Sequence, residues 1–461
     1  MMVKIPRTPA REQAPRLRAA NFDEVCLGYS PDEAMREATR CIQCKNPRCI
    51  GACPVGLGIP QFIHAVREGT FAEAARIIAL DSSLPSVCGR VCPQETQCEG
   101  DCILGVKGEP VSIGKLERFV GDWAADNLSA TTAPKAAPNG RRVAVVGSGP
   151  AGLACAADLA KLGYGVKIFE ALHRPGGVLE YGIPEFRLPK ERVVRREIEA
   201  VRRLGVEIEA NVVIGRTITI DGLLSAEGFS AVFVGSGAGL PKFMGIPGEN
   251  LNGVFSANEF LTRANLMRAY DSAYDTPIRA GRRVAVVGGG NVAMDAARTA
   301  LRLGAEVSIV YRRSEAELPA RREEVHHARE EGVDFRLLTN PVAVLGSADG
   351  WVSGLRCLRM ALGEPDADGR RSPVEVPGSE HDLPIDVLIM ALGTSPNPLI
   401  AATTPGLEAN RRGCLVATPD GATSRPAVFA GGDAVTGAAT VILAMGAGRT
   451  AAAAIHASLT A

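Results

Sequence analysis

The sequence has 461 residues, and its 51 Lys and Arg residues balance 51 Asp and Glu residues. Compact domains have roughly 100 to 200 residues, so a chain of this length is predicted to form two or three domains. The balanced charge argues against a nucleic-acid partner, which needs a basic surface. No charge-free stretch reaches the roughly 18 apolar residues of a membrane span, and the N-terminus lacks a signal-peptide pattern, so we predict a cytoplasmic protein.

Cysteines dominate the first part of the chain. Nine of the 12 precede residue 103, and eight of these nine form two groups with short spacings. Clustered cysteines in a reducing compartment more often bind metal than form disulfides. Such spacings are typical of [4Fe–4S] clusters, so two clusters are predicted; zinc is the alternative, although it favours paired Cys-x2-Cys knuckles. The groups are Cys41, Cys44, Cys49 and Cys53, and Cys88, Cys92, Cys98 and Cys102.

Helical patterns surround these cysteines and predict an α-helical iron–sulfur domain over residues 1–128. Residues 129–140 are rich in Ala, Thr and Pro without apolar periodicity, which is typical of a linker. The predicted helices of the domain are Pro31 to Arg40, Ile59 to Glu68 and Phe71 to Leu80. The three later cysteines stand singly and are predicted to be structural: Cys155, Cys357 and Cys414.

A dinucleotide-binding turn follows the linker. A predicted buried strand and a predicted helix flank the pattern Gly147-Ser-Gly149-Pro-Ala-Gly152. The three glycines permit a tight turn, close approach of the backbone to a pyrophosphate, and close packing of the helix on the strand. Glu170 lies 18 residues beyond Gly152, after the next predicted strand, where it is placed to hydrogen-bond a ribose hydroxyl. This pattern predicts a bound FAD or NAD without separating the two.

A second unit nearly repeats the first, because both strands read Arg-Arg-Val-Ala-Val-Val-Gly. Its turn contains Gly288, Gly290, Asn291 and Ala293, with alanine in place of the third glycine, as the pattern permits. We predict that these four residues bind a second dinucleotide.

The residues after the next strand of the second unit predict which cofactor it prefers. The acidic position is replaced by Tyr311, Arg312 and Arg313. An acid would repel a 2′-phosphate, whereas arginine binds phosphate bidentately, so these arginines predict NADPH. The alternative is that both are solvated arginines at the end of a strand.

A third glycine-rich segment, Phe429-Ala-Gly-Gly432-Asp433, precedes a helix of small residues near the C-terminus. Gly432 and Asp433 are predicted to approach a second part of the first cofactor. Together with Ile389 to Gly393, this segment predicts a discontinuous first domain with the second unit inserted in it. The predicted boundaries are 141–279 and 386–461 for the two parts of the FAD-binding domain, and 280–385 for the NADPH-binding domain.

With the motifs in this order, the whole chain resembles the small subunit of NADPH-dependent glutamate synthase. Its relatives include the large subunit of the flavin-bifurcating NADH-dependent ferredoxin:NADP oxidoreductase and the N-terminal part of dihydropyrimidine dehydrogenase. The resemblance covers both cysteine groups and the segments 175–177, 181–184 and 186–189. It implies a helical iron–sulfur module followed by two Rossmann-like domains of glutathione-reductase-like type, with FAD in the first. It also implies that Gly177 to Pro189, including Arg187, lines the flavin ring.

The resemblance further implies which side chains hold the clusters. A simple assignment gives one cysteine group to each cluster. The family pattern instead implies Cys41, Cys44, Cys49 and Cys102 for the first cluster, and Cys53, Cys92, Cys98 and Glu117 for the second. Cys88 would then be free, whereas Glu117 would otherwise be an acid on a helix surface.

The implied function is transfer of electrons from NADPH through FAD and [4Fe–4S] clusters to a large subunit that forms glutamate from glutamine and 2-oxoglutarate. This chain alone is expected to make no glutamate, because the family's large subunit supplies the nucleophilic cysteine and the FMN-binding barrel. The alternative is the ferredoxin:NADP oxidoreductase branch, with a small flavoprotein subunit as partner and ferredoxin as a further candidate, since 256–267 and 378–380 resemble that branch. No catalytic nucleophile is predicted, and His326, His327 and the charged face of the helix Arg192 to Leu204 are predicted to be solvated.

Overall fold

The computed structural model describes residues 5–128, 135–279, 281–367 and 369–460. The first half of the predicted linker therefore lies outside the described residues. None of the helices within these ranges is long and apolar enough to cross a membrane.

The N-terminal module consists of short helices around an apolar core in which Phe62, Val87 and Leu116 are fully buried. The predicted helices are present, and four of the module's helices have proline in the first turn, where its missing N–H costs nothing. A helix containing Cys88 was not predicted. The elements are β1 (Arg11–Glu12), α1 (Pro15–Arg18), β2 (Cys26–Gly28), α2 (Pro31–Ala38), α3 (Arg48–Gly51), α4 (Ile59–Arg67), α5 (Phe71–Asp81), α6 (Pro85–Val91) and α7 (Ile113–Asn127), with 3-10 turns at Gln94–Thr96 and Ile103–Val106.

The first α/β unit is a five-stranded parallel sheet with the order β18-β6-β3-β4-β5. Its central strands are apolar along their length because helices cover both faces. Its elements before the insertion are β3 (Arg142–Val146), α8 (Pro150–Lys161), β4 (Gly165–Phe169), α9 (Val178–Tyr181), a π-helical turn (Lys190–Val194), α10 (Arg195–Arg203), β5 (Glu207–Glu209), α11 (Ile220–Ser225), β6 (Ala231–Val234) and β7 (Leu240–Pro241).

The second unit is another five-stranded parallel sheet, with the order β11-β10-β9-β16-β8. Its elements are β8 (Val254–Ser256), α12 (Ala257–Asn265), β9 (Arg283–Val287), α13 (Asn291–Arg302), β10 (Glu306–Tyr311), a 3-10 turn (Glu315–Glu317), α14 (Arg322–Glu331), β11 (Asp334–Leu337) and β16 (Val387–Met390). An antiparallel sheet of β12 (Thr339–Gly346), β13 (Val352–Pro365), β14 (Arg371–Glu375) and β15 (His381–Pro384) precedes β16.

The second unit is inserted in the first, as predicted. The chain leaves the first unit through β7 and returns through β17 (Thr394–Ser395), which pairs with β7 in an antiparallel ribbon. The first unit then ends with α15 (Leu399–Thr403), β18 (Val428–Ala430), α16 (Asp433–Thr436) and α17 (Val441–Thr460). Strands β8 and β16 lie outside the range 280–385, because the repeated glycine pattern marks only β9, the central strand of the inserted sheet.

Candidate dinucleotide and iron–sulfur sites

The first glycine turn has the geometry that a dinucleotide requires. Gly147 has a φ of +96°, and a Cβ atom there would lie 2.5 Å from the carbonyl oxygen of Gly235. A Cβ atom at Gly152 would lie 1.9 Å from the carbonyl oxygen of Gly147, so only glycine allows α8 to pack this closely. At Gly149, by contrast, no atom of the described chain lies within 4 Å of the Cβ position. This leaves space for a pyrophosphate at the N-terminus of α8.

Glu170 follows β4 beside this turn, and its side chain is buried. Its Oε2 atom accepts a hydrogen bond from the N–H of Ser148 at 3.0 Å, and its Oε1 atom accepts one from the N–H of Leu172 at 2.8 Å. The carboxylate is therefore fixed at the edge of the glycine turn. Its contact with a ribose stays a prediction.

Two later segments approach the first turn of α8. Gly177 has a φ of +54°, and a Cβ atom there would lie 3.0 Å from the Cα atom of Gly149. A Cβ atom at Gly432 would lie 2.9 Å from the Cβ atom of Ala151. Asp433 begins α16 next to Gly432, and burial raises the pKa of Asp433 to about 6. The predicted residues of the first site thus lie around one end of α8.

The second glycine turn repeats this geometry. A Cβ atom at Gly288 would lie 2.4 Å from the carbonyl oxygen of Ala391, whereas the Cβ position of Gly290 has no neighbour within 4 Å among the described residues. Ala293 is fully buried in α13. Asn291 begins α13, and its Oδ1 atom accepts a hydrogen bond from the N–H of Arg321 at 2.9 Å. A second open space therefore exists at the N-terminus of α13.

Arg312 and Arg313 differ in their surroundings. The Arg312 side chain is exposed and forms no ion pair with any residue in the described ranges. Arg313 is buried, its Nη2 atom lies 2.8 Å from Oδ2 of Asp366, and its Nε–H donates to the carbonyl oxygen of Arg371 at 2.8 Å. Only Arg312 has a guanidinium that is available to a 2′-phosphate without breaking an existing contact.

Arg187 lies in a buried network of charges. Its Nη1 atom lies 2.6 Å from Oδ1 of Asp295, and its Nε atom lies 3.0 Å from Oε1 of Glu324. Burial opposes ionisation of Glu324, but Arg187, Arg298 and Arg321 together lower its pKa to about 2. The segment that was predicted to line the flavin is thus attached to α13 and α14 of the second unit. Direct contact of Arg187 with a flavin stays a prediction.

Four cysteines from separate turns of the N-terminal module line one cavity of about 200 Å³. They are Cys41, Cys44, Cys49 and Cys102. Burial raises the pKa of Cys49 to about 11, and the neighbouring sulfurs of Cys102, Cys41 and Cys44 raise it further in the same direction. Thiolates around this cavity would repel one another, and the positive charge of an iron–sulfur cluster bound there would offset that repulsion.

The other cysteines form a second group with a carboxylate. Burial raises the pKa of the Cys53 thiol, and the charges of Glu117 and Cys92 raise it further. Burial also raises the pKa of Cys98, and the charges of Glu99, Glu117, Cys92 and Cys53 raise it further, so three of its neighbours belong to this group. Burial, followed by the charge of Glu197, raises the pKa of Glu117 to about 8, and no hydrogen bond lowers it. Glu117 is therefore a buried carboxyl group rather than a solvated acid on a helix surface, and its role as a cluster ligand stays a prediction.

The spacing of the donor atoms fits clusters better than zinc. Four thiolates on one zinc ion lie about 3.8 Å apart, since Zn–S bonds are about 2.3 Å long. Within the described residues, three or more donor atoms of His, Cys, Asp and Glu lie within 4.8 Å of one another only at Glu12, Glu323 and His327. The cysteine sulfurs are spread more widely, as they are when each thiolate binds a different iron atom.

Cys88 lies beside the second group: a hydrogen bond with Cys92, then burial and the charges of Cys92 and Glu117, raise the pKa of its thiol. It is fully buried in α6, and its Sγ atom donates to Sδ of Met445 on α17 at 3.4 Å. The second group also lies against α17, because a Cβ atom at Gly446 would lie 2.7 Å from the carbonyl oxygen of Pro54. Arg449 adds a hydrogen bond to the carbonyl oxygen of Val55 at 2.8 Å. The second cysteine group is thus in contact with the first dinucleotide-binding unit.

Two predictions about solvated residues are wrong. His326 is exposed, but His327 is buried, and its Nε2 atom lies 3.0 Å from Oε2 of Glu12. On the helix predicted from Arg192 to Leu204, Glu197 is buried and accepts hydrogen bonds from the N–H groups of Ser86 at 2.5 Å and Val87 at 3.2 Å. These partners are more than 100 residues distant in sequence, so no local pattern could have identified them.

Comparisons with known proteins match the two parts of the chain separately. Residues 18–128 match the family described as dihydropyrimidine dehydrogenase domain II, 4Fe–4S cluster, and residues 141–455 match pyridine nucleotide-disulphide oxidoreductase. The NADPH glutamate synthase small chain of Escherichia coli K12 is 39% identical over 446 residues, which cover 95% of this chain and 94% of that one. The NADPH-Fe(3+) oxidoreductase subunit beta of Geobacter sulfurreducens is 39% identical, with coverage of 86% and 61%.

A solved structure shares the architecture of the two α/β units. Mycobacterium tuberculosis FprA in complex with NADPH superposes with a TM-score of 0.59 at 21% identity, covering 69% of this chain and 85% of that one. At this identity the likeness concerns the fold alone.

Proposed function

We propose that this chain, which belongs to the family of glutamate synthase small chains and related oxidoreductases, is the electron-input subunit of a glutamate synthase. It is an NADPH-dependent flavin and iron–sulfur oxidoreductase. Its partner is a large chain that forms glutamate from glutamine and 2-oxoglutarate. The observation that carries the proposal is the match at 39% identity to a glutamate synthase small chain over nearly the full length of both chains.

The residues have distinct roles in this proposal. Gly147, Gly149, Gly152, Glu170, Gly177, Arg187, Gly432 and Asp433 hold FAD, and Gly288, Gly290, Asn291, Ala293 and Arg312 hold NADPH. Arg313 supports the end of β10 through its contacts with Asp366 and Arg371. When bound, FAD takes a hydride from NADPH and releases electrons singly to iron–sulfur clusters. The open Cβ positions at Gly149 and Gly290 admit the two pyrophosphates, and the exposed guanidinium of Arg312 binds the 2′-phosphate.

We further infer two [4Fe–4S] clusters. Cys41, Cys44, Cys49 and Cys102 hold the first, and Cys53, Cys92, Cys98 and Glu117 hold the second. Two observations support this division over the assignment of one sequence group to each cluster: Cys102 shares a cavity with Cys41, Cys44 and Cys49, and Cys53 is affected by the charges of Glu117 and Cys92. Cys88 also interacts with Cys92 and Glu117, so its exclusion from the second set rests on the family resemblance. Contact of the second set with α17 makes it the set next to the flavin unit.

The proposal is tested by combining the purified chain with a glutamate synthase large chain. NADPH oxidation should then depend on both glutamine and 2-oxoglutarate, and glutamate should accumulate. The chain alone should reduce artificial acceptors but form no glutamate. Flavin reduction by NADPH without glutamate formation in the mixture, together with activity toward ferredoxin in the presence of a small flavoprotein subunit, would instead assign the chain to the ferredoxin:NADP oxidoreductase branch.

A further inference from the structure

A cavity of about 500 Å³ lies between the N-terminal module and the first α/β unit, at the end of α8 opposite the glycine turn. The module contributes α5 and α7, and the α/β unit contributes the end of α8 together with the segment 192–204. Lys161 lies at the C-terminal end of α8, a helix of 12 residues, so about 17 Å of helix separates the cavity from the glycine turn. The cavity is therefore not an extension of the dinucleotide site.

The walls of the cavity are mainly apolar. Ile78, Val120 and Val201 are buried in them, and Ala124 and Ala200 present small side chains from opposite sides. Cavities of roughly 300 to 1,000 Å³ at domain interfaces, with apolar walls and a few polar groups, are the usual form of small-molecule sites. The size, position and lining of this cavity meet each of these conditions.

The charged groups of the cavity favour an anion. Four basic side chains and two acidic side chains line it; of the two acids, Glu197 is bound to the backbone of α6 and Glu199 is exposed. Three of the basic groups have carboxylate partners: Lys161 pairs with Asp158, Arg192 with Glu24 and Arg196 with Asp126. Arg203 is exposed and has no ion-pair partner in the part of the chain that the structure describes. It is the cation that an anionic ligand can engage without displacing another group.

We propose that this cavity binds an amphipathic small molecule with an apolar body and one anionic group. The apolar body lies between α5, α7 and the segment 192–204, and the anionic group pairs with Arg203. Because its walls come from both the N-terminal module and the first α/β unit, an occupant stabilises the contact between them. None of the proposed dinucleotide or cluster ligands lines the cavity, although Glu197 in its wall acts electrostatically on Glu117, so its existence does not depend on the proposed electron acceptor.

The test is isothermal titration calorimetry of the purified protein, with flavin and iron bound, using 8-anilinonaphthalene-1-sulfonate as the probe. One molecule should bind per chain. Ala124→Trp should abolish binding by filling the cavity, whereas Ala453→Trp, at an exposed position on α17, should bind the probe as the wild type does. Arg203→Gln should weaken binding of the probe roughly ten-fold. The control is Arg202→Gln, which should bind the probe as the wild type does, because Arg202 is exposed and does not line the cavity.

Retention of bound flavin shows that each variant folds. If Ala124→Trp loses its flavin, Ala200→Trp on the opposite wall replaces it as the cavity-filling variant and should likewise abolish binding of the probe. Equal binding to the wild type and to a folded cavity-filling variant would overturn the proposal. Failure of the wild type to bind the probe, or equal weakening by Arg203→Gln and Arg202→Gln, would also overturn it.

Discussion

Arg312 and Arg313 are adjacent in sequence but have different roles in the structure. Arg312 is exposed without an ion-pair partner in the described ranges, whereas Arg313 is held by Asp366 and the carbonyl oxygen of Arg371. Arg312→Ala should weaken NADPH binding by about one to two decades while leaving NADH binding nearly unchanged, because a charge-assisted contact contributes roughly 1.5 to 3 kcal/mol. Steady-state KM values for both cofactors measure this effect.

Arg313→Ala is the matched variant. Because it removes contacts within the protein, it should lower thermal stability and affect both cofactors alike. Equal weakening of NADPH and NADH by Arg312→Ala would show that Arg312 does not bind the 2′-phosphate.

The glycines of the first turn predict two different kinds of failure. Gly149→Ala should fold but bind FAD poorly, because its methyl group enters open space that the pyrophosphate requires. Gly152→Ala should not fold stably, because its methyl group would lie 1.9 Å from the carbonyl oxygen of Gly147. Circular dichroism and FAD content of the purified variants distinguish the two outcomes. A stable Gly149→Ala protein with the FAD content of the wild type would contradict this account of the turn.

Glu117 and Cys88 test the assignment of the cluster ligands. Glu117→Ala should remove or alter one cluster, because a hard carboxylate donor is lost, whereas Cys88→Ser should leave the iron content nearly unchanged. Iron analysis and electron paramagnetic resonance of the reduced proteins measure both effects. Two intact clusters in Glu117→Ala, with loss of about four irons in Cys88→Ser, would support the simple assignment by sequence group.

Local sequence patterns predict those parts of the sites whose geometry depends on residues close together in the chain. The glycine turns were recognisable because each glycine meets a backbone constraint within a few residues. Glu197 and Arg321 were not, because their partners lie at distant positions: Glu197 binds the backbone of Ser86 and Val87, and Arg321 donates to the carbonyl oxygen of Arg90 at 2.8 Å. Such contacts depend on how the domains pack against each other, and the spacing of apolar residues in the sequence does not predict that packing.

At the scale of elements, buried ion pairs connect α1, α13 and α14. Glu331 on α14 pairs with Arg298 and Arg302 on α13 at 2.7 Å each and with Arg18 on α1 at 3.0 Å. Glu331→Gln leaves three buried guanidinium groups without their shared carboxylate and should lower the free energy of unfolding by about 3 to 5 kcal/mol. Urea denaturation of the wild type and the variant measures this loss of free energy of unfolding. The exposed pair of Glu315 and Arg329 is the control, since Glu315→Gln should cost less than about 1 kcal/mol.

The same network predicts a dependence of stability on pH. Burial opposes ionisation of Glu331, but hydrogen bonds from Arg298 and Arg302 lower its pKa to about 2, and the pKa of Glu324 is also lowered to about 2. A depressed pKa in the folded state stabilises the protein above the unfolded value of about 4.5 and loses that effect as the pH falls toward 2. Denaturation at pH 7 and pH 3.5 should show a smaller difference between the wild type and Glu331→Gln at the lower pH. An equal difference in the free energy of unfolding at the two pH values would show that ionisation of Glu331 does not stabilise the protein.

At the scale of the whole molecule, repetition in the sequence predicts the two dinucleotide-binding units and the insertion of one in the other. The edges of the inserted sheet were less predictable. Its outer strand β8 has three residues and no glycine pattern, and β16 returns after an antiparallel sheet. Short buried strands of this kind are defined by pairing with neighbours rather than by their own composition.

Anaerobic titration of the purified protein with NADPH tests the central claim, that the chain oxidises NADPH with FAD and passes the electrons to iron–sulfur clusters. The visible absorbance of the flavin should bleach on addition of NADPH. Electron paramagnetic resonance should then detect reduced clusters, and NADH should act more weakly than NADPH. A flavin-containing protein whose spectrum responds to neither NADPH nor NADH would contradict the account.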